Sequence, residues 1–194
     1  HFETLQTYLT DLGIAFTVNP RLVRGLDYYN DTVFEWVNED FGAQSTVCGG
    51  GRYDGLVAQL GGQATAAFGF GMGLERLIQI LQEQGAEAAE QNDDVDLFIV
   101  SVGASARRQA LVLQRDLIQA GLSVNCHQGA GSMKNQFKRA DKSGAKLAVI
   151  IGEQEAQDNT ASVKPLRRPQ TPIEQQTIAQ NDVVNVVTNL LESL

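Results

Sequence analysis

Arg24, Tyr28 and Tyr29 stand inside Leu22-Val-Arg-Gly-Leu-Asp-Tyr-Tyr29, a run whose remaining side chains are mostly apolar. Read as a strand over residues 22–29, it places Leu22, Arg24, Leu26 and Tyr28 on one face, and Val23, Asp27 and Tyr29 on the other, because alternate side chains of a strand share a face. A guanidinium in a half-buried sheet costs free energy unless an anion meets it, and its rigid fork of donors matches a phosphate or a carboxylate. Two chemistries are open at this point. Arg24 pairs structurally with Asp27, Asp31 or Glu35, or it receives an anionic substrate.

A second arginine sits in a comparable setting. Ala64 to Gly73 reads as a strand, predicted over 64–70, whose glycines let a backbone or a flat ligand come close. Leu74, Leu77, Ile78 and Leu81 then follow the i, i+3, i+4, i+7 spacing of an apolar helix face, which predicts a helix over 74–84 with Gly85 as its stop. Arg76 lies off that stripe in the first turn, where the helix macrodipole disfavours a cation. Either Glu75 compensates it, or a polyphosphate at the helix N-terminus does. No Gly-Lys-Ser/Thr follows, so this is not a Walker loop, and Gly69-Phe-Gly-Met-Gly73 is too short to be a dinucleotide fingerprint.

The elements that must hold these residues fall into two grammars. The first half predicts a helix over 2–12, a strand over 14–18, a turn at Asn19-Pro20, and strands over 22–29, 32–37, 44–48 and 64–70. Together these suggest an antiparallel sheet backed by the helix at 74–84. The stripe Phe2, Leu5, Leu9 and Leu12 begins without an N-cap or an initiator Met, as expected of a helix that continues from upstream. Residues 86–94, rich in Ala, Glu, Gln and Asp, read as an exposed linker. From Asp96 a near-continuous apolar strand is followed by a helix predicted to be capped by Ser105. That helix carries Ala106, Ala110, Leu113 and Leu117 on one face and ends at Gly121. A strand over 122–126, a helix capped by Ser132 and a strand over 147–151 complete a βαβαβ pattern, which implies parallel strands. A last helix from Asp182 carries Val183, Val186, Val187, Leu190 and Leu191.

Composition narrows the function classes. The 194 residues hold two cysteines, Cys48 and Cys126, in dissimilar settings, which argues against a disulfide framework and fits a reducing cytosol. His1 and His127 are the only histidines, so a His-based zinc site or a Ser-His-Asp triad is excluded from expectation and no metal site is predicted. No apolar run is long enough to span a membrane and no signal segment is seen. The net charge of −8 divides unevenly, −10 over residues 1–94 and +2 over 95–194. That balance disfavours strong nonspecific nucleic-acid binding and directs attention to a local contact, for which Lys134, Lys138, Arg139 and Lys142 cluster on one short helix. A charged helix face is also what plain solvation produces.

Three segments carry a family resemblance. Leu22 to Val37, Cys48-Gly-Gly-Gly-Arg-Tyr-Asp-Gly-Leu56 and Gly69-Phe-Gly-Met-Gly-Leu-Glu-Arg76 resemble the C-terminal half of the catalytic domain of histidyl-tRNA synthetases. The first is similar to that family's histidine-specific motif and the last to motif 3 of class II synthetases. Gly131 to Ala145 resembles part of the family's anticodon-binding domain; motifs 1 and 2 are not found. The resemblance implies a fold of α/β and α+β type: residues 1–85 as part of a class II antiparallel sheet with helices, 86–94 as linker, and 95–194 as a mixed or parallel α/β anticodon-binding domain. It implies an ATP-dependent ligase that activates histidine and passes it to tRNA(His), cytoplasmic and a homodimer at full length, with ATP as substrate and Mg²⁺ carried by the triphosphate. Arg24 would neutralise the α-phosphate and Arg76 the γ-phosphate end, with Gly71 and Gly73 beside the nucleotide. Tyr28, Tyr29, Tyr53 and Gly69 would shape the histidine pocket, and Lys134, Lys138 and Arg139 would meet tRNA. The chain alone is expected to be inactive. A synthetase-like regulator that senses histidine or tRNA, or an RNA-binding module without catalysis, is the alternative.

Overall fold

The computed structural model describes residues 1–38, 45–85, 94–127, 129, 131–167 and 174–193. It divides into two compact units, His1–Thr7 with Ala15–Glu90, and Tyr8–Ile14 with Gln91–Leu194. Helix α1 (Phe2–Asp11) contributes residues to both. Most of the predicted linker, residues 86–93, lies outside the described residues.

The first unit is built on a three-stranded antiparallel sheet, β1 (Val33–Val37), β2 (Thr46–Arg52) and β3 (Phe68–Met72), in the order β1-β2-β3. A short helix α2 (Leu56–Gln59), absent from the sequence reading, lies between β2 and β3, and α3 (Leu74–Glu83) follows β3 as its apolar spacing predicts. The register sets the character of each face. Glu35 pairs with Gly49 and Gly49 with Gly71; Val33 pairs with Gly51 and Gly51 with Gly69. One face is therefore paved with four glycines, while Phe34, Trp36, Cys48, Phe70 and Met72 lie on the other. There, with Leu77 and Ile80 of α3, they line an open apolar cavity of about 530 Å³.

Several predicted strands are corrected. Residues 14–18 and 22–29 are not strands. Their backbone runs irregularly, with a turn at Asp27–Tyr28, and its hydrogen bonds reach single groups, Leu22 N–H to Asn19 O and Asn30 N–H to Arg52 O, instead of a ladder. The strand expected over 44–48 begins at Thr46 and runs on through the glycines to Arg52, and the one expected over 64–70 is displaced to Phe68–Met72. Glycine has poor strand propensity, and here the flanking strands supply the ladder that propensity does not.

The second unit holds β4 (Leu97–Ser101), α4 (Ala104–Gln119), β5 (Val124–Cys126), α5 (Met133–Lys142), β6 (Leu147–Ile151), α6 (Glu153–Asp158), β7 (Thr160–Pro165), β8 (Gln176–Ala179) and α7 (Val183–Glu192). The strand order is β5-β4-β6-β7-β8. β4 runs parallel to β5 and β6, whereas β7 and β8 are antiparallel, so the sheet is mixed. The residues of α4 that are buried are Ala106, Ala110, Leu113 and Leu117, as the periodicity predicts. They pack with Leu97 and Ile99 on one side of the sheet, and Phe98, Val100, Ile150 and Ala140 of α5 form the core on the other. Ser105 does not cap α4: the helix starts at Ala104 behind Gly103, whose φ of 101° a residue with a β-carbon rarely adopts. Ser132 does cap α5, accepting the Asn135 N–H at 3.4 Å. Beyond the last β4–β5 pair, Ile99 with Cys126, the buried Gln136 amide takes the place of a strand residue. It accepts the Ser101 N–H at 3.0 Å and donates to Ser101 O at 2.7 Å.

All the buried apolar side chains among the described residues lie between Leu97 and Val187. The second unit thus has a core of its own, whereas the first leaves Trp36, Phe68 and Phe70 more than half exposed.

Candidate active site

The glycine-paved face of the first unit is where the singled-out residues meet. A β-carbon at Gly49 would lie 2.9 Å from Arg24 Nη1, one at Gly51 2.8 Å from Tyr29 Cδ1, and one at Gly69 2.5 Å from the Tyr53 hydroxyl oxygen. Glycine is therefore what lets the arginine and two tyrosines lie flat against the strands. At Gly71 a β-carbon would meet nothing within 4 Å, so the floor stays open there. This opening adjoins Gly49 and Arg24 across one strand pair.

The three tyrosines form one cluster. The rings of Tyr28 and Tyr29 are 4.7 Å apart between centroids, Tyr28 and Tyr53 meet edge to face at 5.6 Å, and Tyr29 and Tyr53 are 6.2 Å apart. Such spacings are favourable for aromatic pairs. The hydrogen bond with Tyr29, aided by desolvation, pushes the Tyr28 phenol above its usual value. Tyr28 therefore keeps its proton at neutral pH. It reaches the cluster through the turn at Asp27–Tyr28, not through the strand alternation expected of it.

Of the three carboxylates that could have paired with Arg24, Glu35 does so: Arg24 Nη1 donates to Glu35 Oε1. Glu35 Oε2 in turn accepts from the Thr46 hydroxyl at 3.2 Å, and Thr46 O accepts from Arg76 Nη1. The two arginines, 52 residues apart in the chain, are thus joined through Glu35 on β1 and Thr46 on β2. Arg24 Nε is buried and has no acceptor among the described residues. A buried donor left unpaired is costly, and an incoming anion would remove that cost. Gly73 lies at the start of α3, where a β-carbon would be 3.4 Å from Arg76 Cδ. One acceptor of Arg76 is the backbone carbonyl of Thr46.

A polar hub centred on Asp54 adjoins Tyr53, and of its members sequence reasoning named only Arg52, as a weaker candidate. Asp54 accepts from Arg52 Nε at 2.8 Å and from Ala67 N–H at 3.1 Å, and its own N–H donates to Asn30 Oδ1 at 2.7 Å. The Arg52 hydrogen bond, aided by the Ala67 N–H, holds the Asp54 carboxyl below the usual aspartate range. The signal available was the alternation of charge around Tyr53 in Arg52-Tyr-Asp54; nothing in the sequence marked Asn30 or Thr46.

The other predicted contact residues belong to the second unit. Lys134, Lys138 and Arg139 are exposed on α5 of the second unit, whose inner face is fixed by Gln136 and Ala140. Among the described residues no group of three or more His, Cys, Asp or Glu could hold a metal ion, and no helix is long and apolar enough to cross a membrane.

Comparison with known proteins adds the following. A family model described as histidyl-tRNA synthetase matches residues 1–77, and one described as anticodon binding domain matches residues 96–190. The histidine–tRNA ligase of Dechloromonas aromatica is 56% identical over 167 residues, which cover 86% of this chain and 38% of that protein. That of Aromatoleum aromaticum is 48% identical over 191 residues, covering 98% of this chain and 42% of the relative. The crystal structure of apo S. aureus histidyl-tRNA synthetase shares 39% identity over 96% of this chain and 47% of its own, with a TM-score of 0.44. The chain spans about two fifths of the length of these curated relatives and matches their C-terminal part.

Proposed function

This chain belongs to the histidyl-tRNA synthetase family, and on that premise we propose that it forms part of a histidine–tRNA ligase. In that reading residues 1–85 contribute to the catalytic domain, 86–94 link, and 95–194 bind the anticodon region of tRNA(His). A histidine carboxylate oxygen attacks the α-phosphorus of ATP, the bond to the bridging oxygen breaks, and pyrophosphate leaves with that electron pair. The terminal ribose hydroxyl of the tRNA then attacks the aminoacyl carbonyl and AMP departs.

The observation that carries this reading is the meeting of Arg24 and three tyrosines on a glycine floor with an opening at Gly71. Charge develops on the phosphate oxygens during the first step, and preorganised donors stabilise it. Arg24, oriented by Glu35 and holding an unpaired buried Nε, meets the α-phosphate. Arg76, beside Gly73, meets the γ-phosphate end. Glycine at 71 lets the nucleotide approach the strand. Tyr28, Tyr29 and Tyr53, with Gly69, enclose the imidazole. A neutral phenol can hydrogen-bond a ring nitrogen while its ring supplies an apolar wall. ATP would enter as its magnesium complex, the ion carried by the triphosphate. Lys134, Lys138 and Arg139 contact the tRNA backbone. The full-length protein acts in the cytoplasm as a homodimer.

Histidine-dependent exchange of labelled pyrophosphate into ATP by the full-length protein tests the proposal. Exchange that is absent with histidine, with tRNA bound nonetheless, would favour the regulator.

A further inference from the structure

The three tyrosine rings touch one another, yet ring contacts are weakly directional, so the backbones that carry them must be fixed by something else. Tyr28 and Tyr29 precede Asn30, Tyr53 precedes Asp54, and Gly69 follows two residues after Ala67. Asp54 bonds to both of the others, Asn30 and Ala67, and to Arg52 as well. Its N–H donates to Asn30 Oδ1 at 2.7 Å, and its Oδ1 accepts the Ala67 N–H at 3.1 Å. Its Oδ2 takes Arg52 Nη2 at 2.7 Å, and Arg52 O receives the Asn30 N–H at 2.8 Å.

The ladder explains why a side chain is needed. Regular β2–β3 pairing ends at Arg52 with Phe68. The next bond, Tyr53 N–H to Ala67 O at 2.8 Å, uses one half of Ala67. The chain then turns away at Asp54, and the Ala67 N–H would lose its ladder partner if the Asp54 carboxylate did not take it. The carboxylate thus extends the sheet by one bond at the place where Tyr53 must face Gly69. Its side chain is one-third exposed, at 32%, so it is no core anchor.

We propose that Asp54 is the positioning residue of the histidine pocket, acting with Asn30 to set the mutual placement of Tyr28, Tyr29 and Tyr53 without touching the substrate. This rests on the tyrosines being the histidine pocket. The test is steady-state pyrophosphate exchange by the full-length protein. Asp54→Ala and Asn30→Ala should each raise KM for histidine about tenfold, the order expected for losing one hydrogen bond's worth of alignment, with KM for ATP within about twofold of the parent. Asp54→Asn, which keeps an oxygen for the Ala67 N–H, should recover most of the loss. Should Asp54→Ala fail to fold, as judged by Trp36 fluorescence, Asn30→Ala decides with the same criterion. The idea is overturned if KM for histidine is unmoved in Asn30→Ala and Asp54→Ala while Tyr53→Phe raises it, or if both Michaelis constants rise together. If Tyr28→Phe, Tyr29→Phe and Tyr53→Phe all leave KM for histidine unchanged, the pocket reading itself fails.

Discussion

Replacing Gly50 and Gly71 by alanine, one at a time, perturbs the same small sheet in opposite directions. A β-carbon at Gly50 would run into the Gly69 carbonyl oxygen and lie 2.7 Å from the Phe70 Cα, both of them backbone atoms of the paired strand. Neither can rotate away, so β2 and β3 would have to separate by more than about 1 Å from a spacing of about 4.8 Å, which breaks ladder bonds. Overpacking of this kind costs about 1–3 kcal/mol or more. Alanine repays about 0.4–1 kcal/mol by restricting the unfolded chain. Gly71→Ala meets nothing within 4 Å and its φ is not positive, so only the favourable effect remains. The unfolded-chain gain is common to both variants, so they should differ by the overpacking cost, about 1–3 kcal/mol or more, although their chemistry is identical. Trp36, the one tryptophan of the chain, lies on β1 and reports on this sheet alone. In urea, with a slope of about 1 kcal/mol/M for a unit this small, Gly50→Ala should lower the Trp36 midpoint by about 2 M or leave the sheet unformed, and Gly71→Ala should raise it slightly. Equal midpoints for the two would refute the assignment of these faces.

Residues 95–194 expressed alone should fold cooperatively, since all buried apolar side chains among the described residues lie there, and their thermal midpoint should match that unit's transition in the whole chain by circular dichroism. In the full-length protein, Arg24→Ala should slow adenylation about 10²- to 10³-fold in a rapid-quench assay, more than it weakens histidine binding, while Glu35→Gln should cost far less because the donor stays. At least one of Tyr28→Phe and Tyr29→Phe should raise KM for histidine and leave that for ATP nearly unchanged, a result that matched parent values in both variants would contradict. Asp11 and Asp54 are both held below the usual aspartate range by hydrogen bonds from Arg108 and Arg52 respectively. A carboxyl depressed on folding stabilises above its unfolded value, so both contributions should be present above about pH 4 and fade as pH falls through the lowered folded values. Acid titration of Asp54→Asn by Trp36 fluorescence should show a shallower loss over that window than the parent, and an identical curve would count against the Arg52–Asp54 pairing. The 194-residue chain alone should show no histidine-dependent exchange.

What could be read from the chain by itself was whatever repeats over a few residues. The α4 stripe of Ala106, Ala110, Leu113 and Leu117 and the apolar run of β4 were legible, because burial of one helix face or of a whole strand imprints its period directly on the residue types; of the predicted α3 stripe, Leu74, Ile78 and Leu81 are exposed. The βαβαβ order and the Ser132 cap followed from the same local grammar. The identities of Arg24, Arg76 and the tyrosines were also visible, since such groups are out of place in apolar runs.

Tertiary structure decided how these groups meet. Residues 22–29 have strand-like composition, yet no strand runs beside them among the described residues, and alternation without a partner puts Tyr29 on the face opposite Arg24, whereas both lie against glycines of one face. Composition could not choose among Asp27, Asp31 and Glu35 for Arg24; the β1–β2 register chose Glu35 by setting it beside Gly49. The glycines from 49 to 51 lack strand propensity, and ladder bonds on both sides make them a floor. Thr46, Asn30 and Asp54 acquired roles only when Arg76, thirty residues on, and Ala67, thirteen on, were brought to them. Periodicity is a short-range signal, whereas hydrogen bonds between residues distant in the chain exist only once strand pairing has closed the intervening loops.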